Sequence, residues 1–430
     1  MDSNENIKAK RAKQTLVVLL RLLVGGLFVF SGFVKAIDPW GSFYKFSEYF
    51  LAFGMGTMDW FALFAAFAVA AVEFVLGVCV ILGAFRRGSV ALLLAMMAVM
   101  LPLTLYLAIT DAVPDCGCFG DAWVISNWAT FGKNVLITAA LLFLLRYNSL
   151  VPCVMGPAVH WMIGFVAFVA VMHIAFIGYL NQPLLDFRPY KVGTHMVSGS
   201  ADDGGDDYVF IYEKGGVERE FPIDSLPGDD WNYVRRRSLN HSNVVERQGN
   251  VIPVFDGDIE VTSEIFSGGD ALLILFPDIS EVSIAYTYII NQLVSMARQA
   301  GVPAYGITSG TELQMLQWND ISMASYPLFT ADDSDIKMLA RGNPAVVMIL
   351  GGKVAWKRTL RSIPPAAVTN DRDVHISPDQ IDRQMGQPFS LSSILKSMFI
   401  ALLALLLLNR THRFVWWLRK CFRKPPSKEN

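Results

Sequence analysis

Six apolar stretches dominate the chain: Leu16–Val34, Met58–Gly83, Gly88–Ile109, Thr130–Leu145, His160–Leu180 and Phe389–Leu408. Crossing a hydrocarbon core takes about 20 residues of helix, so the pattern predicts six spans, the fourth short and the sixth interrupted by Lys396. The first is soon followed by another span and lacks a small-residue cleavage site, which marks it as a span rather than a cleaved signal. Between the fifth and sixth stretches the pattern changes. Tyr208–Tyr212 and Val217–Ile223 flank Glu213-Lys214-Gly215-Gly216 as a hairpin. Ala271–Phe276 and Val302–Ile307 read as strands, and Ile284–Gln299 has apolar residues at helical spacing (Ile284, Ile289, Leu293, Met296). Short helices at Glu312–Trp318 and Asp335–Ala340 precede Ala345–Leu350, which turns at Gly351-Gly352 into Val354–Lys357. That order predicts an α/β domain with a mixed sheet.

Composition agrees. The 430 residues are 53% apolar and 17% charged, against about a quarter charged in soluble domains. The net charge of −2 conceals a split, because residues 181–390 hold 17 basic and 28 acidic side chains and the remainder is net basic. Basic residues near span ends favour the cytoplasm. Lys8, Lys10, Arg11 and Lys13, then Arg86 and Arg87, then Arg146, then the seven basic residues from Arg410 to Lys428 all fall on one side of a six-span topology. Lys35 and Lys45 fall on the other. The expectation is a multi-pass protein of a bacterial inner membrane, with both termini cytoplasmic and residues 181–388 periplasmic. It divides into a basic N-terminus (1–13), a four-helix membrane domain (14–148), a fifth span (158–180) and a linker (181–206). The α/β domain (207–366), a sixth span (389–409) and a basic tail (410–430) follow. The composition excludes a disordered chain, a coiled coil, a disulfide scaffold and a nucleic-acid binder driven by overall basicity.

Two charges lie deep within the first two spans, Arg21 and Glu73. A lone charge at mid-bilayer costs about 2.5–3.5 kcal/mol on insertion scales and normally finds a partner, so an Arg21–Glu73 ion pair is expected. It serves either as helix packing or as a proton or quinone-headgroup site with Glu73 titrating. After the third span comes Asp115-Cys116-Gly117-Cys118-Phe119-Gly120-Asp121, on the oxidising side of the predicted topology. A Cys116–Cys118 disulfide would close an eleven-atom ring, outside relaxed geometry and therefore labile. Asp115 and Asp121 disfavour a nearby thiolate, so no strongly depressed thiol pKa is expected. A redox pair and a structural turn disulfide both remain open. A metal is not expected, since the loop has no histidine and zinc takes four ligands.

The string Arg21 to Gly26, Phe30-Ser31-Gly32-Phe33-Val34-Lys35 and Asp38-Pro39, with Glu73, Gly77 and Gly83, resembles the DoxX family of four-helix membrane proteins over residues 14–148. Small residues such as Gly25, Gly26, Ser31 and Gly32 let helices approach closely in lipid. The CGCFG string is similar to the MauE branch of that superfamily, whose bundle is likened to that of vitamin K epoxide reductase. The resemblance implies a part in disulfide formation or maturation of periplasmic proteins, with Cys116 and Cys118 as the redox pair and quinone as an open cofactor. The chain departs from the epoxide reductases in holding only Cys79 within its bundle. The segments ALLILFPD and GNPAVVMILGGKVAWKR resemble a thioredoxin-like domain, with a cis proline at Pro344 beside the usual active site. The family's redox cysteines would fall in Pro277–Val282, and the domain has none, which implies a binding module. The expected partners are the lipid bilayer and a periplasmic client or membrane-complex subunit. The alternative is a non-enzymatic scaffold or quinone-linked subunit that docks partners through the α/β domain.

Overall fold

The computed structural model describes residues 2–197 apart from positions 57, 114, 152, 155, 157 and 158, then 208–238 in part, 251–368, and isolated positions between 392 and 411. The expected sixth span and basic tail fall largely outside the described residues, as does the acidic run 201–207. The chain forms two compact units, residues 1–178 with 389–430, and residues 179–388.

The first unit is a bundle of α1 (Asp2–Ile37), α2 (Pro39–Ala52), α3 (Asp59–Leu82), α4 (Arg86–Thr110), α5 (Asn127–Tyr147) and α6 (His160–Leu180). Five of these helices, all but α2, are long and apolar enough to cross a bilayer, so the chain is a multi-pass membrane protein. α1 and α3 pack most closely, and glycine sets their register. A Cβ on Gly32 would lie 2.5 Å from the Phe74 backbone nitrogen, and one on Gly77 would lie 2.7 Å from that of Val29. Gly25 likewise faces Gly77 and Ile81, whereas Gly26 faces open space. Contacts whose numbers run in opposite directions make the two helices antiparallel. Sequence alone did not suggest α2, although Asp38 caps it by accepting from the Gly41 amide and Pro39 opens it, a familiar pairing at a helix start.

In the second unit, β1 (Tyr208–Lys214), β2 (Val217–Pro222) and β3 (Asn232–Ser238) form an antiparallel sheet ordered β2-β1-β3, which contains the expected hairpin. The larger sheet takes β4 (Phe255–Asp256), β5 (Ile259–Glu260), β6 (Ala271–Phe276), β7 (Ala304–Thr308), β8 (Leu328–Thr330), β9 (Ala345–Leu350) and β10 (Lys353–Thr359). Its order is β10-β9-β6-β7-β8-β4-β5. β6 runs parallel to β7 and antiparallel to β9, giving the mixed sheet that the pattern predicts. Every residue of β6 is buried, and alternate side chains feed opposite faces. Leu272, Ile274 and Phe276 pack with the helix at Thr287–Gln299, while Leu273 and Leu275 pack with Ile336 and Leu339. Ile284, expected on the buried stripe of that helix, instead lies in a preceding 3-10 turn and is exposed. The Asn343–Pro344 bond is cis.

Part of the expected linker is folded. Gln182 exchanges hydrogen bonds with the Arg341 backbone, the Met196 amide donates to the Gly352 carbonyl, and Met196 is fully buried. Asp186 accepts from Arg188 at 2.7 Å and from Lys357 at 3.0 Å. Burial works against the Asp186 carboxylate, yet Arg188 and Lys357 more than offset it and hold its pKa at about 2. Lys357 moves down to about 7, first through burial and then through Arg188, with Asp186 opposing. The directions agree physically. Cations outnumber the carboxylate, so this pocket favours the anion and disfavours one more ammonium.

Candidate functional site

The loop between α4 and α5 carries Cys116-Gly117-Cys118. Gly117 has φ +62°, and a Cβ there would sit 2.8 Å from the Cγ of Lys45, so both backbone and space call for glycine. Its amide donates to Asp115 Oδ1 at 2.7 Å. The two cysteines are free, with their Sγ atoms 3.0 Å apart. Side chains from α1 and α2 strap the loop by its backbone. Ser31 Oγ and Lys35 Nζ donate to the Cys118 carbonyl at 2.6 and 2.7 Å, and the Tyr49 hydroxyl donates to the Cys116 carbonyl at 2.7 Å. Lys45 joins Asp115 at 3.2 Å.

The expected Arg21–Glu73 pair does not form. Glu73 instead takes Lys35, 2.8 Å away and buried with it. Arg21 is bonded to Asn148 Oδ1 at 2.6 Å and to the Asn148 and Val151 carbonyls. The reason is register. The Gly25–Gly77 and Gly32–Ala70 contacts set Glu73 opposite the Ser31–Lys35 end of α1, and Arg21 opposite Gly83. Depths counted from the ends of hydropathy windows miss that offset. In the sequence Lys35 stood out as a basic residue after the first span and as the end of the Phe30–Lys35 string, yet it lies inside α1 and is 7% exposed.

The thiols also differ from expectation. Cys118 is lowered to about 6 and Cys116 is raised. For Cys118 the largest cause is the hydrogen bond from the Cys116 thiol, opposed by burial and by Glu73 and reinforced by Lys133 and Lys35. Reasoning from Asp115 and Asp121 overlooked the lysines brought in from α1, α2 and α5, one of which engages Asp115 directly.

Beside the pair is a small cavity of about 80 Å3 that opens to the surface. Leu27, Phe28, Met96, Met97, Met100 and Ile137 line its apolar part, and Lys35, Glu73, Lys133, Cys116 and Cys118 its polar part. Of the four candidates from sequence, three therefore share one site and Arg21 belongs elsewhere. Lys35, Lys45, Tyr49 and Lys133 are the site residues that sequence reasoning missed. Asp38-Pro39 at the start of α2 was the available signal for Lys45 and Tyr49.

Residues 13–146 match the family described as Methylamine utilisation protein MauE. Residues 207–239 match a domain of unknown function, DUF8463. No curated protein and no solved structure matches the chain. The first match covers α1 to α5, which hold the whole cysteine site, so this membrane region is similar to that family. It is joined to a mixed α/β unit.

Proposed function

We propose that the chain is a membrane thiol–disulfide exchange protein in which Cys116 and Cys118 alternate between dithiol and disulfide while exchanging with client proteins. The observation that carries this reading is the pair of sulfurs 3.0 Å apart, on a loop strapped by its backbone beside a cavity in the bundle. Strapping through carbonyls leaves the sulfurs free to react while holding their spacing. A staple between near neighbours would add little stability, because it closes so short a loop. The cysteine loop and the α/β unit lie on the periplasmic side of a bacterial inner membrane, in keeping with the positions of the basic residues. We read the α/β unit as thioredoxin-like. The run β10-β9-β6-β7, with β6 parallel to β7 and antiparallel to β9, supports that reading. With no cysteine between residues 154 and 420, it serves to bind clients.

The residues lining the cavity suit the edge of a lipid-soluble quinone as acceptor. Leu27, Phe28 and Met100 offer an apolar wall, and Lys133 offers a hydrogen-bond donor. Lys35 already spends three donors on Ser31, Glu73 and Cys118. Bound there, a quinone would supply a two-electron acceptor inside the membrane.

Trapping tests the exchange reading. Cys116→Ser and Cys118→Ser variants, expressed in cells and quenched with acid, are run on non-reducing gels. One of them is expected to accumulate a mixed disulfide with a periplasmic protein. If neither does, exchange is not the function.

A further inference from the structure

Three lysines reach the cysteine loop, and they are not equivalent. Lys35 from α1 is paired with Glu73, and Lys45 from α2 with Asp115 and Glu48. Lys133 from α5 forms no ion pair among the described residues. Its Nζ rests 4.2 Å from the ring centroid of Phe119, next in sequence to Cys118, and it lines the same cavity as both sulfurs. The sulfurs are unequal as well. Cys116 is buried at 8% exposure in a cluster with Tyr49, Leu107 and Val113, whereas Cys118 is only partly buried.

We propose that Cys118 forms the mixed disulfide with a client, that Cys116 resolves it, and that Lys133 is a positioning residue whose cation holds the charge of the Cys118 thiolate. This rests on the exchange reading and assigns its parts. The more exposed residue of the pair meets the client, and the cation without a carboxylate lines the same cavity. The other charged and titratable groups around Cys118 are Lys35 on α1, Lys45 and Tyr49 on α2, Glu73 on α3, and Asp115, Cys116 and Asp121 on the loop itself. Of these, Glu73 and Asp115 are already engaged by Lys35 and Lys45, which leaves Lys133 as the cation with no carboxylate partner among the described residues. Lowering of Cys118 and raising of Cys116 are in keeping with this division.

The exchange balances without a further reagent. The Cys118 thiolate attacks one sulfur of a client disulfide, so that bond breaks as the Cys118–client bond forms, and the departing client thiolate takes a proton. Cys116 then gives up its proton and attacks Cys118. The intramolecular disulfide forms, the second client thiolate leaves, and the client is reduced as the pair is oxidised. In reverse, the pair's disulfide oxidises a client dithiol.

The test uses full-length protein in detergent with Cys118 or Cys116 as its sole cysteine. The rate of alkylation by iodoacetamide is followed against pH, since the thiolate is the reactive form. The other cysteines are replaced by serine, and because Cys116→Ser keeps a hydroxyl donor beside Cys118, Cys118 is expected to titrate below Cys116. Lys133→Gln should raise the Cys118 midpoint by about one pH unit, the scale of one close charge, and Lys133→Arg should restore most of that shift. In cells, Cys116→Ser should trap the client and Cys118→Ser should not. An unmoved midpoint in Lys133→Gln overturns the role of Lys133. Should that variant fail to fold, equal midpoints for the two sole cysteines overturn the assignment, as does trapping confined to Cys118→Ser. If neither variant traps a client while the Lys133 shift appears, the thiolate assignment stands and the exchange reading fails.

Discussion

Lys35 and Glu73 bury opposite charges 2.8 Å apart, with Ser31 and the Cys118 carbonyl taking the remaining ammonium donors. Removing one partner of a buried pair leaves an uncompensated charge, at a cost of about 3–5 kcal/mol, whereas replacing both by apolar groups is often far milder. Glu73→Gln is therefore expected to lower the thermal midpoint in detergent by more than Lys35→Met/Glu73→Leu does, as read by tryptophan fluorescence. If the double variant is equally damaged, the pair does not act through charge compensation. Asp186 supports a prediction about pH. Its pKa lies at about 2, below the ordinary 3.8, so its contribution is complete above about pH 4 and is lost as pH falls toward 2. Asp186→Asn should destabilise the α/β unit at neutral pH, because Arg188 and Lys357 lose their carboxylate. It should also make the urea midpoint of that unit, followed by intrinsic fluorescence of the full chain, less sensitive between pH 4 and 2. An unchanged acid response would remove Asp186 from the account.

At the level of elements, the α1–α3 contact fixes everything the site depends on. Gly32 faces the Phe74 nitrogen and the Ala70 carbonyl, both backbone atoms that cannot swing aside. Gly32→Ala must separate the helices there, and overpacking of this kind typically costs about 1–3 kcal/mol. It would also loosen the Lys35–Glu73 pair one turn further on. The expected outcome is a lower thermal midpoint than Gly26→Ala, which adds a methyl where nothing lies within 4 Å. Equal midpoints would mean that the close approach is not maintained. The same contact shows what could be read from the sequence and what could not. Spans are legible because twenty apolar residues in a row have few other uses, and the buried strand at Ala271–Phe276 is legible for a similar reason. Cys116 and Cys118 stood out through chemistry and predicted side. Register was not legible. Glycines announce that two helices can approach, but Gly25 and Gly32 do so while the adjacent Gly26 does not, and only that choice decides whether Glu73 meets Arg21 or Lys35. Residues 182–197 read as linker because their apolar members show no period, yet two of them, Tyr190 and Met196, are buried against the sheet.

For the whole molecule, thiol exchange depends on which side of the bilayer holds the cysteine loop. Cys118 can meet folded clients and an oxidising environment only if its loop faces away from the cytoplasm, where thiols are kept reduced. The spans cross alternately, so α4 and α5 place the segment before Arg86 and the segment after Tyr147 together, opposite the cysteine loop. The first of those segments is followed by Arg86 and Arg87, and the second is preceded by Arg146, so in the proposed orientation these are the cytoplasmic ends. Single reporter cysteines test this in a chain whose native cysteines are replaced by serine. Val124 on the cysteine loop and Val154 after Tyr147 are 65% and 58% exposed, so both sites admit a reagent. In intact spheroplasts an impermeant maleimide should label Val124→Cys at once and Val154→Cys only after the membrane is permeabilised. The opposite order would put the thiols among cytoplasmic reductants, and the exchange reading would lose its compartment even with every distance in the site unchanged.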